Sequence, residues 1–217
     1  MYLHVNKMQG PLRGAVRIKG HIYPPQMYRQ AQRRTLVNLG PTDTLEQYQE
    51  AKADAHKALT RAGYDPRYFW EQPIVWGDQD TFQHVNNVRY VRFFESSRIH
   101  WMRHLGHQLG GPSAADSLIR GEGVSLILKS IDVRFRRPVT YPDTLLIAHR
   151  PVQPDDGQRP DPSSLNLEAS AYSLNQRAIV TLAKDVVVWY DYDTLKKCIP
   201  EDMYLQAVWH SGQDSSS

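Results

Sequence analysis

The sequence predicts an α+β domain in which a curved antiparallel sheet of about five strands wraps round one long helix, with an N-terminal helical extension. Two patterns carry this. From Val88 to Leu105, apolar residues recur at three- to five-residue intervals, the period of a helix buried along most of its length. From Gly123 to Tyr192 the pattern changes to alternation broken by turn residues, the period of strands. One strand, then the helix, then four strands in succession connect most simply when the sheet folds over the helix.

The first element is a basic leader. Residues 1–42 hold seven Lys or Arg and no Asp or Glu, so the remainder of the chain is net acidic although the whole carries +3. An acid-free, Arg-bearing start is what mitochondrial presequences look like; the alternative is a basic arm lying on the fold of a cytoplasmic protein. Pro11, Pro24 and Pro25 interrupt any long helix there. A helix then begins at Thr44, in capping-box spacing with Gln47. Its stripe of Leu45, Tyr48, Ala51, Ala55, Ala58, Leu59 and Ala62 is narrow and small, which suits a helix packed on the surface of the domain. Gly63 and Asp65-Pro66 end it. The extension spans 1–69 and the main domain 70–205.

Residues 72–77 read as a short strand entering W-G-D-Q-D-T-F-Q-H-V-N-N, and the long helix follows, with Asn87 as N-cap and Gly106 closing it. A loop at 110–113 and a polar stretch lead to Gly123. In the next strand Ile131, Val133 and Phe135 alternate with Asp132, Arg134 and Arg136, while Leu126 and Leu128 sit on the opposite parity. That phase flip predicts a bulge near Lys129 and Ser130. Pro138 and Pro142-Asp143 turn the chain into T-L-L-I-A-H-R, a Pro-rich loop separates that from L-N-L-E-A-S-A-Y-S-L, and N-Q-R leads to A-I-V-T-L-A-K-D-V-V-V-W-Y. This last strand is apolar on both faces and so central. Residues 206–217 read as a flexible tail, ending in S-G-Q-D-S-S-S.

Composition narrows the function. Apolar residues at 41% and charged residues at 23% are ordinary globular values, and no apolar run is long enough to span a membrane. The basic residues are scattered without aromatic interleaving, which speaks against nucleic acid as partner. The single cysteine, Cys198, rules out an internal disulfide. His100, His104 and His107 have metal-like spacing, but no acid follows His100 as in H-E-x-x-H, so no metal site is expected.

A sharp strand-to-helix turn holding an acid is a catalytic device. The first helical N–H groups lack internal partners and can stabilise an oxyanion, while an Asp upstream can activate water or attack a carbonyl. Only acyl transfer or hydrolysis uses both parts. V-W-G-D-Q-D-T-F-Q-H-V-N-N-V-R-Y-V-R-F-F-E-S-S-R resembles the signature of the 4-hydroxybenzoyl-CoA thioesterase family and its acyl-CoA thioesterase relatives, and V-R-F-R-R-P-V-T-Y-P-D-T-L resembles its second strand. The similarity covers roughly 70–203.

The resemblance implies a hot-dog fold and an acyl-CoA or acyl-carrier-protein thioester as substrate, with no cofactor. It implies a homodimer, or dimer of dimers, with sites between subunits. Asp80 matches the catalytic carboxylate, and the backbone N–H near Asn87 the oxyanion contact. His84 and Asn86 match residues that shape and polarise the site, and Glu95 a recurrent acid of the helix. Arg136 and Arg137, with Arg134, could hold coenzyme A phosphates or simply form a solvated strand face. Asp80 could instead fix the bend as an Asx-turn, and Asp78 is expected to bond backbone. A non-catalytic acyl-binding or scaffold protein on the same fold is the alternative function.

Overall fold

The computed structural model describes residues 16–18, 21–23, 44–154 and 161–210. The expectations for the rest of the leader, the centre of the Pro-rich loop and the last seven residues lie outside the described residues. Strands β1 (Val16–Ile18) and β2 (His21–Tyr23) pair antiparallel with each other. Helix α1 (Leu45–Arg61) starts at the expected capping box, with Thr44 and Gln47 each bonding the other's backbone. Then come β3 (Trp70–Ile74), α2 (Asn87–Arg120), β4 (Val124–Phe135), β5 (Asp143–Val152), β6 (Ser164–Ser173), β7 (Ala178–Asp191), the two-residue β8 (Lys196–Lys197) and α3 (Asp202–His210).

The main sheet runs β3-β5-β6-β7-β4, entirely antiparallel, with β8 added to β7. Strand β7 lies between β6 and β4, where its two-sided apolar pattern requires it to be. The register shift in β4 falls between Leu128 and Ser130, at the predicted bulge. Odd residues of β5 and β7 face α2: Leu145 and Ile147 join Tyr90, Phe93 and Phe94 in one core cluster, and Val187 and Trp189 join Trp101, Met102 and Leu105 in a second. The opposite face of β5 and β6 is covered by α1, whose Ala51, Ala55 and Leu59 are fully buried against Leu146, Ala148 and Tyr172. Small residues on that stripe let the helix approach the strands closely. The helix of the extension is therefore packed onto the sheet's outer face.

Several expectations need correction: the strand read at 72–77 runs instead over Trp70–Ile74, and the polar stretch read after the loop at 110–113 is helical to Arg120. The cap of α2 is Asn86, in extended conformation with its side chain accepting from the Val88 N–H at 3.1 Å, and Asn87 is the first helical residue. Gly106 does not close the helix. A Cβ there would strike the backbone of Ala115, so the glycine is what lets the chain fold back on itself after a kink at Gly110 and Gly111, beyond which 112–120 is again helical. The flexible tail does not begin at 206, because α3 runs to His210 and buries Val208 in the core. Among the described residues no helix is long and apolar enough to cross a membrane.

Candidate active site

Strand β3 ends at Ile74, and one 3-10 turn, Trp76–Asp78, leads into the motif. Asp78 builds this turn as expected: its N–H donates to the Val75 carbonyl at 2.9 Å, and its Oδ2 accepts from the Val75 N–H at 2.9 Å. Beyond it the chain makes a miniature ladder. Gln79 pairs with Val85, the Asp80 N–H donates to the His84 carbonyl at 2.9 Å, and the Gln83 N–H donates back to the Asp80 carbonyl at 3.0 Å. Gln83 sits at φ 63°, a left-handed conformation unusual for its type. Its carbonyl is held by Gln79 Nε2 at 2.6 Å, so the loop over-determines the strained residue. The Asn86 N–H donates to the Asp78 carbonyl at 2.8 Å and closes the base of the loop.

The helix end is left ready for a ligand. With Asn86 capping Val88 and its carbonyl taking the Arg89 N–H at 2.9 Å, the Asn87 N–H carries no hydrogen bond among the described residues. Asn87 lines a cavity of about 270 Å³ together with His84, Tyr90, Phe135, Arg136 and Arg137. The Tyr90 and Phe135 rings meet edge-on at 5.2 Å. Arg136 and Arg137 are exposed but anchored, since both backbone N–H groups donate to the Val180 carbonyl. Burial pushes the Tyr90 hydroxyl up to about 12, so it stays protonated at neutral pH.

Four of the seven sequence-predicted residues thus share one cavity, and three do not line it. Asp80 is half-buried in the adjoining loop: Oδ1 accepts the Phe82 N–H at 2.9 Å, an Asx-turn, while Oδ2 accepts nothing among the described residues. Both readings of Asp80 are compatible, because the turn uses one oxygen and leaves the other. Asn86 spends its side chain on the cap. Glu95 is exposed on α2, two helical turns along. Tyr90 and Arg89 were not singled out from the sequence, and Phe135 only as an apolar position of a strand.

A second polar cluster escaped the sequence entirely. Inside the sheet, Arg98 Nη1 meets Asp185 Oδ2 at 2.7 Å, Ser97 Oγ lies 3.0 Å from His149 Nδ1, and His149 Nε2 is 3.6 Å from the same carboxylate oxygen. The last separation is electrostatic contact rather than a hydrogen bond. All four side chains are buried. Burial holds His149 below the ordinary histidine range, against the pull of Asp185 and with the push of Arg98. His100 and His104 do share a helix face, their rings 4.5 Å apart, yet among the described residues no third His, Cys, Asp or Glu joins them as a ligand set.

With this geometry in hand, known proteins supply the context. The Thioesterase-like superfamily matches residues 74–208. No curated protein matches the sequence. Among solved structures, the chain is similar to the PA5185 protein of Pseudomonas aeruginosa strain PAO1 at 22% identity and a TM-score of 0.55, over 72% of this chain and 97% of that one. It is similar to a 1,4-dihydroxy-2-naphthoyl-CoA thioesterase from Synechocystis at 14% identity and 0.51, over 64% and 93%. A Staphylococcus aureus protein solved in complex with CoA gives 9% identity and 0.55, over 69% and 86%. At such identities these likenesses speak for the fold, a sheet curled round a long helix.

Proposed function

Because this chain belongs to the thioesterase-like superfamily, we propose that it is a hot-dog acyl-CoA thioesterase, hydrolysing a thioester to a carboxylic acid and a free thiol. The observation that carries the reading is that Asn87, whose N–H is unbonded among the described residues, lines a cavity bordered by the loop of Asp80, whose Oδ2 is also unbonded among the described residues. The thioester carbonyl would lie over the start of α2, where the N–H and the positive helix end stabilise the oxyanion. Asp80 would take a proton from the attacking water, or attack the carbonyl carbon itself and be released by water in a second step. The thiolate leaves and is protonated from solvent, and no cofactor enters.

Arg136 and Arg137 supply positive charge at the cavity, suited to the phosphates of coenzyme A or of a carrier protein's prosthetic arm. The site would be completed by a second copy of the chain. Trp76 and Phe82 in the motif and Val88 at the helix start are each more than 70% exposed, apolar surface of the kind a partner subunit covers.

Thiol release measured over a panel of acyl-CoA chain lengths and aryl-CoAs tests the reading. Activity on at least one substrate, lost in Asp80→Ala, is the expected result. Absence of turnover on every member would favour an acyl-binding or scaffold role; activity unaffected by Asp80→Ala would sink the mechanism.

A further inference from the structure

The loop that carries Asp80 and the helix that offers the Asn87 N–H are separate elements, and their relative placement needs a cause. Within the loop the ladder from Gln79 to Val85 fixes Asp80 to His84. At the helix start the Asn86 side chain accepts from the Val88 N–H and so fixes the turn that contains Asn87. What joins the two halves is the base of the loop, where the Asn86 N–H meets the Asp78 carbonyl at 2.8 Å and one long side chain crosses beside it. That side chain is Arg89, in the first turn of α2. Its Nη2 donates to the Gly77 carbonyl at 3.1 Å, and its Nε lies 3.7 Å from Asp78 Oδ1.

Asp78 is unusual for an acid so close to the surface. Its side chain is 9% exposed, Oδ2 is committed to the Val75 N–H, and the other oxygen faces Arg89. A buried carboxylate needs a counter-charge, and here the counter-charge is carried by the helix. The planar guanidinium can reach a carbonyl and a carboxylate at once, whereas a lysine presents one point charge on a flexible stem. Arg89 therefore ties the strand end and the 3-10 turn to the first turn of α2.

We infer that Asp78 and Arg89 form a positioning clamp that sets the distance between the Asp80 carboxylate and the Asn87 N–H, and so governs kcat of the reaction proposed above. The inference rests on that reading. Neither residue lines the cavity that Asn87 borders: Arg89 reaches back to Gly77 and Asp78 at the loop base. A misplacement of about 1 Å between reacting groups costs on the order of 100-fold in rate, so a clamp of this kind acts on turnover more than on binding.

The experiment is steady-state thiol release by wild type, Arg89→Ala and Arg89→Lys, with hydrogen exchange of residues 78–87 followed by mass spectrometry. Arg89→Ala is expected to lower kcat by about 10- to 100-fold with KM changed less than about threefold, and to keep the pH profile of the wild type. The loop amides should exchange faster, while the core strands keep their protection. Arg89→Lys should fall between the two, and added guanidinium should restore part of the Arg89→Ala rate. Arg89→Ala with wild-type kcat, or with a loss confined to KM, overturns the clamp. A wild type inactive on every thioester overturns the parent reading instead, and the two failures are told apart by the wild-type assay alone.

Discussion

Two polar clusters meet the same helix, one at its start and one along its buried face, and could hardly differ more. The inner one, Ser97, Arg98, His149 and Asp185, has the composition of a hydrolase triad, with a hydroxyl on one imidazole nitrogen and a carboxylate near the other. Yet its members are at most 6% exposed, and nothing could reach Ser97 without opening the fold. The outer one, Asp80, His84 and Asn87, reads as a polar turn. It holds a carboxylate oxygen and a backbone donor with no partner among the described residues, the donor at an open cavity and the carboxylate in the loop that adjoins it. Chemistry needs unmet valence and access together, and residue type alone supplies neither. In the sealed cluster, burial raises the stakes of every charge; in the open one, solvent relaxes them.

Removing one carboxylate from each cluster should separate these roles. Asp80→Ala should lower kcat by about 100- to 10,000-fold, the usual worth of a positioned acid or base, and leave the denaturation midpoint nearly unmoved. Asp185→Ala should do the reverse. It strands the buried Arg98 guanidinium, a change expected to destabilise by about 3–5 kcal/mol in urea unfolding. If Asp185→Ala were well folded and catalytically dead, while Asp80→Ala retained turnover, the two clusters would have to exchange roles.

How much of this was legible in the sequence depends on distance along the chain. The capping box at Thr44, the bulge near Lys129 and the central place of β7 are written in neighbouring residues, and all three are in the structure. The cavity's His84, Asn87, Arg136 and Arg137 were found because a motif and a strand end carry them. Asn86 and Asn87 cap equally well by type, so the helix start was ambiguous by one residue. Gly106 misled because glycine is read locally as a terminator, whereas here it answers a contact with Ala115. The inner cluster was invisible because its bonds join residues 52 and 87 positions apart, and no pattern in either segment announces the partner.

The inner cluster also predicts a smaller, pH-dependent effect. His149 has a folded pKa held down by burial, so in the unfolded chain it binds a proton first as pH falls. Stability contributed by neutral His149 is complete above the ordinary histidine value of about 6.5 and is lost below it, with a slope approaching about 1.4 kcal/mol per pH unit. Urea midpoints measured from pH 8 to pH 5 should show this decline, and His149→Gln should flatten it. An unchanged slope in the variant would place the acid sensitivity in other groups.

The smallest effect sharpens the contrast through Glu95, an acid on the same helix only three residues before Arg98. It is solvated where Asp185 is sealed. Its removal leaves no buried charge behind, so Glu95→Gln should change the stability of the isolated chain by no more than about 0.5 kcal/mol. Val91 and Ile99, which flank it in sequence, are nevertheless 42% and 40% exposed, an apolar surface that its own sheet does not cover. If a second copy seats on that face, the effect of Glu95→Gln should grow with protein concentration, because dimer stability is linked to it by mass action. Unfolding at two concentrations a hundredfold apart decides this. A concentration-independent loss of several kcal/mol would mean that Glu95 is sealed within the single chain, and the division between a buried inner cluster and an open outer face would fail at that residue.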